Sequence, residues 1–222
     1  MVVGQQPIKN AAIFVDGQNL YRAAKDAFGY HYPNYDIKLL SEWICSSRGW
    51  NLSDIYFYTG VPDPQDNGLW HSFWTRKLSH MGRLGIKLFS RSLRYHNEDF
   101  ACSSCNKMYT SLVGHEKGVD VRIALDVIRL AHAKMFDIAV IFSQDQDLSE
   151  VVDEVRTIST EQQRLLKVLS AFPVSPTSKN SRGIKNTEWI KIDKKVYDSC
   201  IDPTDYRSPP VDPTLSSETE TI

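Results

Sequence analysis

The chain has 222 residues and a mass of 25.3 kDa, with 41% apolar and 24% charged residues, a composition that excludes fibrous and largely disordered classes. Its longest apolar runs are about five residues, as in Ile138–Phe142, against the roughly 20 that a membrane-spanning helix needs. A net charge of −1 speaks against a nucleic-acid partner only until the tail is set apart: residues 203–222 hold four acids (Asp205, Asp212, Glu218, Glu220) against Arg207, leaving a net of +2 on residues 1–202.

Residues 1–10 form a short lead without the basic and apolar segments of a signal peptide. The four cysteines (Cys45, Cys102, Cys105, Cys200) are too few for a disulfide framework, so a reducing, cytoplasmic setting is expected. Ala11–Val15 is a continuous apolar run of the kind that forms a strand buried on both faces. A helix is expected over 19–28 with Gly29 as its stop, and a second over 36–47 with Asp36 as cap. Residues 54–60 read as an aromatic-rich strand broken by Pro62 and Pro64, 68–81 as a helix and 86–95 as a strand. The segment 97–117 is polar, lacks periodicity and reads as irregular. Helix, strand, helix follow at 119–134, 138–143 and 147–160, then a strand at 165–171. Residues 11–172 therefore form the domain, 173–202 an extension packing on it, and 203–222 an acidic tail rich in proline, serine and threonine that is expected to be disordered.

Strands alternating with helices predict an α/β fold of three layers, α/β/α, around a mostly parallel sheet. In such sheets the site forms where the carboxyl ends of the strands meet the following loops. Asp16 follows the first strand, and Ser143-Gln144-Asp145-Gln146-Asp147 follows the fourth. Aspartates converging at one sheet edge repel unless a cation lies between them, and Mg²⁺ or Mn²⁺ takes such oxygen ligands.

Each acid also has an ordinary explanation. Asp16 precedes Gly17 and fits a turn or helix cap, with Asn19 placed to orient it. On the helix 119–134, Asp120 shares the stripe of Ile123, Ala124 and Val127 and so faces inward, where an uncompensated charge is costly. Asp126 lies at ion-pair spacing from Arg122 and Arg129, which accounts for it without a ligand role, although it remains a further metal candidate. Asp147, three residues before Glu150, has capping-box spacing, whereas Asp145 has no such role.

Phe14-Val15-Asp16-Gly17-Gln18-Asn19, Glu116-Lys117-Gly118-Val119-Asp120-Val121 with Asp126, and Ser143-Gln144-Asp145-Gln146-Asp147-Leu148 resemble the three signature blocks of the NYN domain family, a branch of the PIN-like metal-dependent ribonucleases. The resemblance spans about residues 10–172. It implies a PIN-like fold and hydrolysis of RNA with Mg²⁺ or Mn²⁺ held by Asp16, Asp120, Asp145 and Asp147, supported by Asn19. The family's commoner last block carries glycines where Gln144 and Gln146 stand. A catalytically weak RNA-binding or scaffold module of the same fold is therefore the alternative expectation.

From Arg76 to His96 there are six bases (Arg76, Lys77, Arg83, Lys87, Arg91, Arg94) and no acids, a pattern suited either to phosphate contact or to an ordinary solvated face. Trp70, Phe73, Trp74 and Tyr95 nearby are candidates for stacking on unpaired bases, or for core. Lys117, leading into the Asp120 helix, is the best placed base. Cys102-Ser103-Ser104-Cys105, with His96 and His115 on either side, makes a candidate four-ligand structural zinc site. Self-association is left open. A phosphatase using Asp16 as nucleophile is disfavoured by Gln18, where a second aspartate would be expected, and a dinucleotide enzyme by the lack of a glycine-rich turn at Gly17.

Overall fold

The computed structural model describes residues 8–115 and 117–207. In chain order the elements are β1 (Asn10–Asp16), α1 (Gly17–Phe28), α2 (Ile37–Ser47), β2 (Asn51–Val61), α3 (Gly68–Arg83), β3 (Lys87–Ser92), β4 (Arg94–Ala101), β5 (Met108–His115), α4 (Val119–His132), β6 (Ile138–Phe142), a 3₁₀ turn (Gln146–Leu148), α5 (Ser149–Glu161), β7 (Lys167–Pro173), β8 (Glu188–Ile192) and α6 (Lys194–Ser199). Six strands form one sheet in the order β3-β2-β1-β6-β7-β8, and every neighbouring pair is parallel.

The alternation along the central strands makes the three layers. Ile13, Val15, Phe57, Val140 and Phe142 point into one core, shared with Leu20, Leu40, Phe73 and Trp74 of α1, α2 and α3. Phe14, Tyr56, Tyr58 and Ile141 point into the other, shared with Ile123, Val127, Val151 and Val155 of α4 and α5. Both faces are covered, which is why these strands read as unbroken apolar runs. The helix boundaries follow local chemistry. Gly29 ends α1 in the left-handed conformation (φ 79°), and the Asp36 carboxylate accepts the backbone N–H groups of Lys38 and Leu39 to start α2.

Three sequence expectations change, and the packed extension gains a definite form. The irregular segment 97–117 is instead the antiparallel hairpin of β4 and β5, in register from Arg94↔His115 to Ala101↔Met108. Much of it is solvent-exposed, so no apolar alternation marked it. The strand expected over 86–95 stops at Ser92, because the chain leaves the sheet at Leu93 to begin this hairpin. The extension 173–202 supplies β8, a sixth strand in register with β7, where only Ile190 and Ile192 are buried. The tail expected to start at 203 is held on the domain as far as Arg207: Tyr206 is buried and meets Phe73 edge to face. The remainder of that tail lies outside the described residues.

The sheet order also locates the site. From β1 the chain builds outward through β2 and β3, then returns to β1's other side and builds outward through β6, β7 and β8. The switch point lies between β1 and β6, where a crevice opens beyond the carboxyl ends of the two strands.

Candidate active site

Asp16 is the last residue of β1 and the N-cap of α1; its Oδ1 accepts the backbone N–H of Asn19 at 2.9 Å. The chain turns sharply here against β2. A Cβ on Gly17 would stand 2.5 Å from the Phe57 ring and 3.1 Å from the Tyr58 carbonyl oxygen, so only glycine fits. Asn19 then links the two strand ends, because its Oδ1 accepts the backbone N–H of Gln144 at 3.0 Å. On the β6 side, Asp145 caps the 3₁₀ turn, accepting the backbone N–H of Asp147 at 3.1 Å. Ser143 is buried, and its hydroxyl accepts the Asp145 N–H.

The third acid comes from α4. Gly118 precedes the helix in the left-handed conformation, and Asp120 lies in the first turn. Because α4 begins at the carboxyl edge of the sheet, the inward direction at Asp120 leads into the crevice rather than into the core. Asp16, Gln18, Asn19, Arg22, Lys117, Gly118, Val119, Asp120 and Asp145 line one cleft of about 360 Å³. Three of the four expected acids, the supporting asparagine and the expected lysine are thus brought together.

Electrostatics sets Asp16 apart. It is 8% exposed, and burial lifts its carboxyl to about 6 from 3.8. The Asn19 N–H opposes that rise, the neighbouring Asp145 charge adds to it, and Arg22 opposes it. A carboxylate held near its own titration point beside another acid is a group in need of positive charge. The donor set fits a divalent cation: it is all oxygen, and Mg²⁺ commonly binds through one or two carboxylates while retaining several waters. Among the described residues, no three His, Cys, Asp or Glu side chains form a ready-made ligand group, so water would supply much of the coordination.

Several expected roles are not met. Asp147 is exposed and does not line the cleft; Asp145 takes the capping role expected of it, and α5 begins at Ser149 without a side-chain cap. Asp126 is buried and is not a ligand in the cleft lining. It accepts from the Tyr58 hydroxyl at 3.0 Å, from Arg122 at 2.8 Å and from Arg129 at 3.2 Å, which leaves it fully partnered and away from the cleft lining. Lys77 is 1% exposed, bonding to the Tyr35 carbonyl and the Asp202 carboxylate at 2.9 Å each, and so is closed to phosphate. Lys87 pairs with Asp54 and Tyr56. Arg83 projects from α3 and donates to Ser79, while Arg76 lines a separate hollow with Arg207. Phe73 and Trp74 are core, and Trp70 packs edge to face on Phe73, so this trio is structural.

Arg91 and Arg94 do stand where they are useful. With Lys117, Gly118 and Arg122 they line a groove of about 680 Å³. Lys117 and Gly118 belong to both the groove and the acid cleft. The zinc set fails on distance: His96 lies six residues along β4 from Cys102, about 20 Å at strand rise, and His115 is paired with Arg94 at the hairpin's base.

Two contributions were not anticipated. Arg22 lies three residues after Asn19 on α1 and shares its face, a spacing that was readable from the sequence. The Gln144 and Gln146 side chains latch the segment 180–185 beside the cleft. Gln144 Nε2 donates to the carbonyls of Asn180 and Arg182, Gln146 Nε2 donates to that of Gly183, and Gln146 Oε1 accepts the Lys185 N–H. These amides tie the loop after β6 to that segment.

This is an α/β fold with an acid-lined crevice at its switch point, the layout of a PIN-like, ribonuclease-like domain. The NYN domain family model matches residues 10–179, and the chain belongs to that family. It is 24% identical over 199 residues to the low amplitude and bright protein LabA of Synechococcus elongatus, covering 89% of this chain and 90% of LabA. Among solved structures it is similar to VPA0982 of Vibrio parahaemolyticus, a protein of unknown function, with a TM-score of 0.48, 19% identity, and coverage of 86% of this chain and 98% of that one. It is also matched to MurG of Acinetobacter baumannii with a TM-score of 0.31 and 8% identity, covering 82% and 45%. No helix among the described residues is long and apolar enough to cross a membrane.

Proposed function

We propose that the protein is a metal-dependent endoribonuclease whose cleft acids Asp16, Asp120 and Asp145 hold Mg²⁺ or Mn²⁺. The observation that carries this reading is that an acid-lined cleft and an arginine-lined groove share Lys117 and Gly118 in their walls. A strand laid along Arg91, Arg94 and Arg122 is held by its phosphates, and its path passes Lys117 at the mouth of the acid cleft. A divalent cation bound there supplies electrostatic stabilisation of the charge that develops on the phosphoryl and leaving oxygens.

The chain's own residues do the positioning. Lys117 holds the phosphate entering the cleft, and Asn19 ties the Asp16 turn to the Asp145 turn so that the two carboxylates keep their spacing. The N-terminus of α4 partly offsets the Asp120 charge before any cation arrives. Gly118 leaves room for Arg91: a Cβ there would stand 2.8 Å from the guanidinium.

The test compares wild type with Asp16→Asn and Asp120→Asn on end-labelled RNA, with Mn²⁺ or Mg²⁺ and then with EDTA. Cleavage that needs the ion and is lost in both variants supports the reading. Cleavage unchanged in the variants overturns it. Salt-sensitive binding without cleavage under any ion also overturns it, in favour of the RNA-binding module of the same fold.

A further inference from the structure

The cleft makes no use of Cys102 and Cys105. They lie at the far end of the β4–β5 hairpin, beyond the last register pair Ala101↔Met108. The six-residue tip, Cys-Ser-Ser-Cys-Asn-Lys, is a built loop. The Cys102 N–H donates to the Lys107 carbonyl at 2.9 Å, the Asn106 N–H donates to the Cys102 carbonyl at 2.8 Å, and Asn106 turns the chain with φ 55°. Both thiols are free, and Cys105 is exposed.

A structural zinc ion takes four ligands in a tetrahedron, and this loop offers two. The histidines of the same hairpin lie near its other end. No group of three potential ligands exists among the described residues. With no completing pair among the described residues, a second molecule can supply it, and a two-fold axis through the metal lets one pair serve twice. The surroundings fit a second copy of the chain. Phe100 and Tyr109 sit opposite each other next to the tip and stack at 5.8 Å. They are 37% and 54% exposed, and the adjacent Met108 is 66% exposed. These are large, exposed apolar side chains on the strand ends that carry the thiols.

We propose that two copies of this chain join hairpin tip to hairpin tip through one zinc ion, held by Cys102 and Cys105 of each, with Phe100, Met108 and Tyr109 packed around it. This site stands apart from the acid cleft and does not depend on the nuclease reading.

The test uses the full chain purified under reducing conditions without chelator. Zinc content is measured by elemental analysis and mass in solution by light scattering. One zinc per two chains is expected, in a dimer of twice the 25.3 kDa chain mass. A strong chelator should yield monomer, and readded zinc should restore the dimer. Cys102→Ser should be a zinc-free monomer that melts with chelator-treated wild type, and Tyr109→Ser should weaken the dimer while leaving the thiols in place. Co²⁺ in place of zinc should give the intense visible bands of a tetrahedral thiolate site. One zinc per chain in a monomer, a dimer that survives Cys102→Ser, or a monomer carrying a Cys102–Cys105 disulfide after reducing purification would each overturn the proposal.

Discussion

Replacing Asp16 by asparagine should make the protein more stable at neutral and alkaline pH while removing a cleft carboxylate. Burial and the Asp145 charge hold the Asp16 carboxyl at about 6 instead of 3.8. The native state therefore keeps a proton that the unfolded chain has already released, and stability falls as pH rises from about 4 to about 6. Above that window the ionised side chain weakens the fold by up to about 3 kcal/mol, at about 1.4 kcal/mol per pH unit. Asparagine carries no charge and caps a helix about as well as aspartate, so the bond to the Asn19 N–H is retained. Allowing about 1 kcal/mol for the amide's own unmet hydrogen bonds, the gain is about 2 kcal/mol, or a Tm rise of roughly 4–8 °C for a chain of this size. Thermal melts in chelator at pH 8 and pH 4.5 measure it: the rise should appear at pH 8 and nearly vanish at pH 4.5. Added Mn²⁺ at pH 8 should narrow the gap by stabilising the wild type, about 2.7 kcal/mol at a hundredfold excess over Kd. A lower Tm for the variant at pH 8, or the same increment at both pH values, would show that Asp16 is not a strained, buried charge.

Other perturbations separate structure from chemistry. Lys77→Ala leaves Asp202 buried without its partner and should cost about 3–5 kcal/mol by chemical denaturation, while RNA affinity per folded molecule stays at the wild-type value. Asp126→Ala strips the partner from Tyr58, Arg122 and Arg129 and should lower stability by about 1.5–3 kcal/mol, with cleavage far less affected than in Asp120→Asn. Gln146→Ala should free the 180–185 segment, seen as faster amide hydrogen exchange at Lys185, whose N–H now donates to the glutamine at 3.1 Å; unchanged exchange would mean that the latch is unimportant.

The central strands were legible because both their faces are buried: Ala11–Val15 and Ile138–Phe142 show in the sequence as apolar runs, and the acids that follow them mark the site edge. Helix phase was harder to read. Asp126 sits at the border of the buried stripe of α4, where the Tyr58 hydroxyl from β2 draws it in, a partner 68 residues away in sequence. Lys77 reads as one base among six, and only its contact with Asp202, 125 residues away, makes it core. The capping role shifted from Asp147 to Asp145 because a 3₁₀ turn precedes α5, which spacing alone does not reveal. The hairpin left no apolar period because much of it faces water, and β8 shows only two inward residues. Local pattern thus revealed the scaffold and the acids, whereas long-range partners decided which charges stay free.

The most direct measurement takes binding and cleavage on the same single-stranded RNA, comparing Asp120→Asn with Arg91→Ala/Arg94→Ala under single-turnover conditions. If the cleft cuts and the groove holds, Asp120→Asn loses about 100-fold or more in rate at near-wild-type affinity. The arginine variant then binds more weakly, with a salt slope shallower by about 0.7 for each lost phosphate contact. Wild-type cleavage by Asp120→Asn, or wild-type affinity and salt slope in the arginine variant, would contradict that division of labour.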